Sequence, residues 1–574
     1  MWWMILREDR GFQLMEEMRI LFKNRCNKNQ KEDQRILEYI RQAEPEEYDT
    51  VLDKDGSWSV QYHLSPMRDS LFSWYPFEAD AEVLEAGGAF GELTHILCEK
   101  CAYVTSVERE PVRAQAIKSR CRMYENLKIC QCDIRDVQPV RKYDYVTAVG
   151  LLESQRIESK DLGDYAEFLV HLCSFLKPSG RLLLACENRM GIRYLCGERD
   201  GKTGIPYDGV RRYPQERGIL GFTRMELEAV LEKAGITRRR FYYPLPDYRM
   251  VQAVYAEHSL PEDSVRDRVI PYYKDRRSVV ASELDLMDFC IQSKCLHVFA
   301  NSFLVECVLD EAACTDIESV FLTVDRGRPA AMAAIHEGAF MYKEALYPQG
   351  AADLARSVRH VEDLKRHGIR VVPHIRMSKR RIRMPYVEAP VLMSVLRDTL
   401  GQDAERFVCL MDQVWGDICR SSDVSDVSED FLWMQQCAEQ DWGPVLKNVY
   451  FDMVPMNCFY DEGEIVYFDQ EFVRHDYPAK YTMFRVILYT YIHISEAENA
   501  VPRARMLRRY GISDVMWDVF FREETAFVSS LRKHEVFHHF HEMSQVSYEE
   551  MRENAKRLVE IEEAGYREDK YEAL

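Results

Sequence analysis

The clearest indication of the fold is the sequence Val83-Leu-Glu-Ala-Gly-Gly-Ala-Phe-Gly91. In this stretch an apolar run ends at Glu85, and Gly87, Gly88 and Gly91 follow before a helical pattern begins. Glycine lets a backbone turn approach a ligand closely, and in open α/β sheets such turns lie at the carboxyl end of a strand. The stretch therefore predicts a strand, a ligand-binding turn and a helix.

The surrounding sequence repeats the same alternation. From about residue 51 to 260, short apolar runs alternate with helical patterns, which is typical of a doubly wound parallel sheet. The predicted strands are 81–84, 103–107, 128–130, 145–149 and 181–185. Because the carboxyl ends of parallel strands open onto one crevice, we expect a binding site there.

Two acidic residues lie where that site is expected. Glu108 follows the second predicted strand, and Asp133 follows the third. A carboxylate at the second strand end can accept hydrogen bonds from both ribose hydroxyls, and one after the third can accept from an exocyclic amine. The order of a glycine turn and two acids predicts a nucleoside site.

On these residues, region 51–260 resembles the class I S-adenosylmethionine-dependent methyltransferases. The resemblance implies a Rossmann-like domain that binds S-adenosylmethionine. The cofactor-binding residues that it implies are Glu85, Gly87, Gly88, Gly91, Glu108 and Asp133. The turn would cradle the amino-acid end of the cofactor, Glu108 the ribose, and Asp133 would lie by the adenine. Ala89 departs from the glycine that many members have there.

The sequence says less about the acceptor of the methyl group. Residues 148–153 replace the Asn/Asp-Pro-Pro-Tyr pattern after the fourth strand, which disfavours a base amine and favours an oxygen acceptor. Glu187-Asn-Arg189 after the fifth strand resembles methyltransferases encoded with bacterial surface-glycan genes. Arg189 either holds an anionic acceptor or forms an ion pair with Glu187 or another acid.

A second set of residues points to phosphoryl transfer. Asp452 and Asn457 have D-x-x-x-x-N spacing, and Asp469 follows twelve residues later. Phosphoryl transfer needs an acceptor for the hydroxyl proton and oxygen ligands for Mg²⁺, and these side chains supply both. Upstream, Lys343 ends an apolar run and Glu362 lies in a predicted helix, which allows an ion pair that aims the lysine at nucleotide phosphates.

This order resembles the protein-kinase-like superfamily and implies a bilobal α+β domain over 301–505 that uses ATP and Mg²⁺. It implies that Lys343 binds phosphate, with Glu362 as its partner, and that Asp452 is the catalytic base. Asn457 and Asp469 would hold the metal. The run 384–388, ending at Glu388, would be the hinge beside adenine.

This second region departs from the protein-kinase pattern at two motifs. Tyr450-Phe451 replaces His-Arg, and Gln470-Glu471 replaces Phe-Gly. The segment 324–328 is a poor glycine-rich loop. A small-molecule or sugar kinase is therefore expected rather than a regulated protein kinase.

The remaining sequence bounds the function. A net charge of −19 disfavours nucleic acid as the main partner, and the 17 cysteines, odd in number and scattered, indicate a reducing cytoplasm. No apolar run approaches the roughly 18 residues of a membrane span. Residues 1–50 are expected to form a helical extension, 261–300 a connector and 506–574 terminal helices. His534-Glu-Val-Phe-His538 matches H-E-x-x-H but is read as a solvated helix face.

The order of the two domains resembles bifunctional methyltransferase/kinase enzymes that terminate bacterial O-antigen chains. It implies a cytoplasmic enzyme that methylates and phosphorylates a glycan or lipid-linked saccharide. Glycosyltransferases are candidate partners, and peripheral attachment to the inner face of the membrane is left open. The alternative is a methyltransferase whose kinase-like domain is inactive and serves for docking.

Overall fold

The computed structural model describes the chain in segments and divides it into two units. The described residues are 30–155, 161–213, 221–266, 268–309, 313–323, 326–327, 330–400, 402–426, 440–494, 496–531 and 546–563. The first unit comprises Met1–Thr315 with Glu535–Leu574, and the second comprises Asp316–His534. No helix within the described residues is both long and apolar enough to span a bilayer.

Five parallel strands form the centre of the first unit. They are β1 (Glu82–Ala86), β2 (Tyr103–Val107), β3 (Leu127–Cys130), β4 (Tyr143–Val149) and β5 (Leu176–Glu187). Their order is β5-β4-β1-β2-β3, with every neighbouring pair parallel. The predicted parallel α/β sheet is therefore confirmed, and its order reverses between β1 and β4, where such sheets open a crevice.

Helices connect and precede these strands. They are α1 (30–42), α2 (Tyr48–Lys54), α3 (Trp58–Leu64), α4 (Thr94–Lys100), α5 (Pro111–Arg120), α6 (Leu162–Cys173), α7 (Ile192–Leu195), α8 (Arg224–Lys233), α9 (Glu283–Gln292) and α10 (Leu296–Phe299). A further helix at Tyr548–Glu563 belongs to the same unit. Helix α4 packs against β2, α5 against β3 and α6 against β5.

Three antiparallel strands extend the sheet beyond β5. These are β6 (Arg238–Leu245), β7 (Ala253–Ala256) and β8 (Ser302–Val308), in the order β7-β6-β8-β5. The domain boundary expected at residue 301 differs from the structure, because β8 pairs with β5 and β6 and the first unit continues to Thr315. Every residue of β8 is buried, so the strand needs partners along both edges and on both faces.

The second unit begins with an antiparallel sheet. Its strands are β9 (Ile317–Thr323), β10 (Met332–Glu337), β11 (Phe340–Ala345), β12 (Ile375–Arg376) and β13 (Arg381–Pro385). Their order is β12-β13-β11-β10-β9. Helix α11 (Ala351–Arg366) follows β11 and packs on one face through Leu354 and Val358, against Ala345 and Ile382. Of the predicted glycine-rich segment 324–328, only Arg326 and Gly327 are described.

The rest of the second unit is mostly helical around one apolar core. Its helices are α12 (Leu392–Leu400), α13 (Ala404–Arg420), α14 (Ala479–His493), α15 (Ala497–Ala500), α16 (Arg503–Arg509) and α17 (Asp514–Leu531). Two strand pairs complete it, β14 (Val445–Tyr450) with β17 (Val473–Pro478), and β15 (Cys458–Asp461) with β16 (Glu464–Tyr467). The residues of the H-E-x-x-H sequence, His534 to His538, lie outside the described residues.

Candidate functional site

The turn after β1 has the backbone shape that its glycines predict. Gly87 and Gly91 have φ angles of +80° and +79°, and Ala89 has +46°. The Gly87 amide donates to the Val107 carbonyl at 2.9 Å, which ties the turn to the end of β2. A left-handed conformation costs a residue with a Cβ roughly 1–2 kcal/mol, so Ala89 is held there by its surroundings.

Glu85 and Gly88 support this turn from beneath. The Glu85 carboxylate accepts hydrogen bonds from the Thr94 and Ser106 hydroxyls, each at 2.6 Å. Burial raises the pKa of Glu85 to about 7. A Cβ on Gly88 would lie 2.2 Å from the Ser106 hydroxyl oxygen, so only glycine fits. Glu85 and Gly88 therefore lie below the turn, while Gly87 and Ala89 line the cavity above it.

Glu108 joins the turn to the end of β2. Its carboxylate accepts from the Ala89 amide at 2.9 Å and from the Glu110 amide at 2.8 Å. Burial raises the pKa of Glu108 from its ordinary value. Because an ionised carboxylate has about four lone-pair sites, two remain for hydroxyl donors in the cavity.

Asp133 begins a short helical turn after β3. It accepts from the backbone amide of Arg135 at 3.0 Å and from the Arg135 guanidinium at 2.7 Å. The Arg135 hydrogen bond outweighs the effect of burial and holds the pKa of Asp133 at about 2. Asp133 is therefore an ionised acceptor, and it lines the same cavity as Gly87 and Glu108.

The cavity at these strand ends has a volume of about 340 Å³. That volume lies in the range of small-molecule and cofactor sites. Besides the predicted residues, it is lined by Tyr62, His63, Arg113, Lys202 and Tyr248. These five come from α3, from α5 and from segments after α7 and β6, and no motif marks them in the sequence. The glycine turn and the two acidic acceptors fit S-adenosylmethionine.

The Glu187-Asn-Arg189 segment forms buried internal contacts. The Arg189 guanidinium donates to Glu226 at 3.0 and 2.8 Å and to the Gly209 carbonyl at 2.8 Å. The Asn188 amide donates to two backbone carbonyls, at 2.8 and 2.7 Å. Of the two interpretations left open for Arg189, the structure has the ion pair, with Glu226 as the acid.

A second polar cluster surrounds Lys343 on β11. The Lys343 ammonium pairs with both Asp469 and Glu471, and Glu471 also binds Arg326 at 2.5 Å. Burial disfavours the ammonium charge, but the two carboxylates raise the pKa of Lys343 above its usual value. Lys343 and Asp469, which the sequence assigned to one site, are therefore in direct contact.

The Asp452 side chain contacts the backbone of the same segment. The carboxylate accepts from the amides of Glu471 at 2.9 Å and Phe472 at 3.0 Å, with Arg485 at 3.7 Å. Burial raises the pKa of Asp452 to about 6. The Asn457 carbonyl accepts from the Phe468 amide at 2.9 Å, next to Asp469.

Glu362 does not meet Lys343 as expected. Glu362 is exposed, whereas His360, two residues earlier on α11, contacts the Gln470 carbonyl at 3.1 Å. Side chains two residues apart on a helix point about 200° from each other. Because His360 faces Gln470, Glu362 points to the opposite side of the helix. Glu388 is also exposed, in the segment after β13.

The sequence predicts that Asn457 and Asp469 hold a metal ion. Among the described residues, no three His, Cys, Asp or Glu side chains are grouped to hold a metal ion. Mg²⁺ in nucleotide sites is often held by one or two protein carboxylates together with substrate phosphates. Within the described residues, Asn457 meets this segment through its backbone carbonyl and the Asp469 carboxylate pairs with Lys343, so a metal held by these two residues stays a prediction.

Comparisons with known proteins found similarity to methyltransferases. No family model matches the chain. It is 24% identical over 193 residues to the ribosomal RNA small subunit methyltransferase A of Syntrophus aciditrophicus (strain SB), covering 31% of this chain and 66% of that protein. The chain thus spans just under two thirds of the length of this relative.

Two solved methyltransferases show low similarity. The N-methyltransferase NodS of Bradyrhizobium japonicum WM9, in complex with S-adenosylhomocysteine, is 18% identical, covering 22% of this chain and 64% of NodS at a TM-score of 0.20. The amino pentose methyltransferase CalS10 of Micromonospora echinaspora, with S-adenosylmethionine bound, is 17% identical, covering 21% and 50% at a TM-score of 0.17. At the level of sequence, the ribosomal RNA relative supports homology to class I S-adenosylmethionine-dependent methyltransferases.

Proposed function

We propose that the first unit is an S-adenosylmethionine-dependent methyltransferase. The observation that carries this proposal is one cavity, of about 340 Å³, lined by Gly87, Glu108 and Asp133 at the carboxyl ends of three parallel strands. This is where nucleoside cofactors bind in open α/β sheets. Homology to class I methyltransferases supports the same cofactor.

Each lining residue has a defined part in holding the cofactor. The free lone pairs of Glu108 accept from ribose hydroxyls, and Asp133 accepts from the adenine amine. Gly87 lets the backbone approach the amino-acid end. S-adenosylmethionine supplies a methyl group already activated on a sulfonium, so the protein contributes mainly alignment and exclusion of water.

We place the acceptor at the end of the cavity lined by Lys202 and Tyr248. Arg189 is occupied by Glu226. The cation that we assign to an anionic group on the acceptor is Lys202, which lines the cavity together with Arg109 and Arg113. A glycan hydroxyl or glycan phosphate oxygen suits this environment, in line with the sequence resemblance to surface-glycan enzymes. The relative named for ribosomal RNA suggests an RNA acceptor instead, but a net charge of −19 disfavours it.

The cofactor proposal is tested by calorimetric titration with S-adenosylmethionine. Glu108→Gln removes a charged acceptor and is expected to weaken binding by roughly 10- to 100-fold, because hydrogen bonds to charged groups contribute about 1.5–3 kcal/mol. Glu99→Gln, at an exposed position on α4, is the matched control and should bind as wild type does. Equal affinity in all three proteins would remove Glu108 from the site.

For the second unit we propose ATP-dependent phosphorylation of a sugar hydroxyl. Two contacts support this proposal. Lys343 pairs with Asp469, and the Asp452 carboxylate accepts a hydrogen bond from the amide of Glu471, two residues after Asp469. In phosphoryl transfer a lysine neutralises nucleotide phosphates, an Asp and an Asn hold Mg²⁺, and a second Asp accepts the hydroxyl proton. Here Lys343, Asp469 with Asn457, and Asp452 take those roles, and Glu471 replaces Glu362 as the lysine partner.

Thermal stabilisation by ATP with and without Mg²⁺ tests this second proposal. Wild type is expected to show a metal-dependent rise in the unfolding temperature that Asp469→Ala abolishes. Asp461→Ala, an acid on β15 whose side chain is 41% exposed, is the control and should retain the rise. No metal-dependent rise in the wild type would contradict a kinase and favour the alternative, a methyltransferase with an inactive docking domain.

A further inference from the structure

Residues 364–387 concentrate positive charge in an acidic chain. The chain has a net charge of −19, yet this stretch contains no aspartate or glutamate. Its basic residues are Lys365, Arg366, Arg370, Arg376, Lys379, Arg380, Arg381 and Arg383. The stretch is therefore a local exception to a molecule that otherwise repels anionic surfaces.

Much of this stretch forms a hairpin at the edge of the second unit's first sheet. Strand β12 pairs with β13, and the Met377 amide donates to the Arg381 carbonyl at 2.9 Å between them. We call residues 375–383 the basic hairpin. Lysine and arginine at a sheet edge commonly prevent edge-to-edge association, and that alone would account for the charge.

Charge at a sheet edge does not account for the apolar side chains that the hairpin exposes. Ile375 is 48% exposed and Met377 is 52% exposed, with exposed Arg376 between them. Large aliphatic side chains at an edge promote association, so they oppose the protective effect of the charges. A surface that is both basic and apolar therefore needs another explanation.

The hairpin arginines are held in place without full neutralisation. Arg383 lies over the Phe340 ring at 4.5 Å, and Arg381 lies over the Tyr342 ring at 4.2 Å. The carboxylates nearest to Arg381 are those of Glu337 and Glu344, each at 3.9 Å.

The remaining basic side chains of the hairpin bond to carbonyls or project outward. Arg380 donates to the Ala345 and Leu346 carbonyls, and Arg376 donates to the Ser378 carbonyl at 3.1 Å. Lys379 is exposed. None of these three, nor Arg383, forms an ion pair with a carboxylate of the described residues. Their positive charge is therefore available to a partner.

We propose that the basic hairpin docks the protein on an anionic lipid bilayer. Arg376 and Lys379 contact lipid phosphates, while Ile375 and Met377 enter the boundary between headgroups and acyl chains. Basic residues beside exposed apolar ones are the features of interfacial membrane binding. A nucleic acid would match the charge but would offer the aliphatic side chains no apolar environment. This inference is independent of both proposed activities.

Co-sedimentation of the full chain with vesicles tests this docking. Wild type is expected to bind vesicles of phosphatidylcholine with about one-third phosphatidylserine, to bind phosphatidylcholine alone weakly, and to lose binding at high salt. R376Q/K379Q should weaken binding by roughly 30-fold. M377Q should weaken it by about tenfold through lost apolar burial.

The matched control is R406Q/R508Q, which removes two exposed arginines of α13 and α16 and changes the net charge equally. It should bind anionic vesicles as wild type does. The inference is overturned if wild type ignores anionic vesicles, or if both double variants weaken binding equally. It is also overturned if a duplex oligonucleotide binds the hairpin more tightly than the vesicles do and M377Q leaves vesicle binding unchanged.

Discussion

Replacing Glu85 by glutamine tests how the cofactor turn is supported. The two side chains have nearly the same shape, and a glutamine oxygen can still accept from the Thr94 and Ser106 hydroxyls. The substitution removes only the ability to ionise. It therefore isolates the free energy of keeping a buried carboxyl beneath the turn.

The size and sign of the effect follow from the raised pKa of Glu85, from 4.5 to about 7. Below pH 4.5 Glu85 is protonated in both the folded and the unfolded chain, so it does not make the free energy of unfolding depend on pH. As the pH rises toward 7, the unfolded chain releases the proton first, and the free energy of unfolding falls. At about 1.4 kcal/mol per pKa unit, wild type is expected to lose about 3 kcal/mol that Glu85→Gln does not lose.

Scanning calorimetry of the first unit's transition at acidic and mildly alkaline pH measures this difference. A change of 1 kcal/mol in the free energy of unfolding shifts the melting temperature by about 2–4 °C. As the pH rises from about 4 to 8, the melting temperature of Glu85→Gln should therefore rise by roughly 6 °C relative to that of wild type. Affinity for S-adenosylmethionine should stay near that of wild type, because Glu85 lies beneath the turn. A difference in melting temperature that does not change with pH would mean that Glu85 does not ionise at a higher pH in the folded chain than in the unfolded chain.

Two further substitutions test packing and charge at the two sites. Gly88→Ala places a Cβ 2.2 Å from the Ser106 hydroxyl oxygen, so calorimetry should show the first unit destabilised by about 1–3 kcal/mol, and an unchanged melting temperature would contradict this packing. Glu471→Gln leaves the Lys343 and Arg326 charges with one carboxylate fewer, so urea unfolding should show the second unit destabilised by roughly 3 kcal/mol, and a neutral result would mean that the buried ion pair is not formed.

The parallel sheet of the first unit could be predicted because its signals are local. The strands contain short apolar runs, of which Leu182 to Cys186 in β5 is buried throughout, and the glycine turn marks where β1 ends. The acids at 108 and 133 follow from strand ends meeting at one edge. In each case the sequence within a few residues carries the information.

Strand β8 could not be placed in this way. Its sequence is an apolar run, but nothing near residue 303 indicates that its neighbours are β5 and β6 rather than β9. Pairing across more than a hundred residues depends on the whole fold. The domain boundary was therefore set too early.

The sites show the same division between local and distant information. Tyr62, Lys202 and Tyr248 enter the cofactor cavity from segments without a motif, so only the fold reveals them. Glu362 was chosen by its position in a helix, but the helix phase turns His360 inward. The spacing of the kinase pattern identified the helix that packs near Lys343, but not which face of that helix points toward it.

We propose that the carboxyl ends of β1, β2 and β3 form one cofactor cleft. Hydrogen exchange of the full chain, titrated with S-adenosylhomocysteine, is the strongest test of this proposal because the experiment needs no acceptor. The proposal predicts that peptides containing Gly87, Glu108 and Asp133 gain protection at the same ligand concentration, and that peptides of β6 and β7 do not. Protection confined to other segments, or absent at saturating ligand, would contradict it.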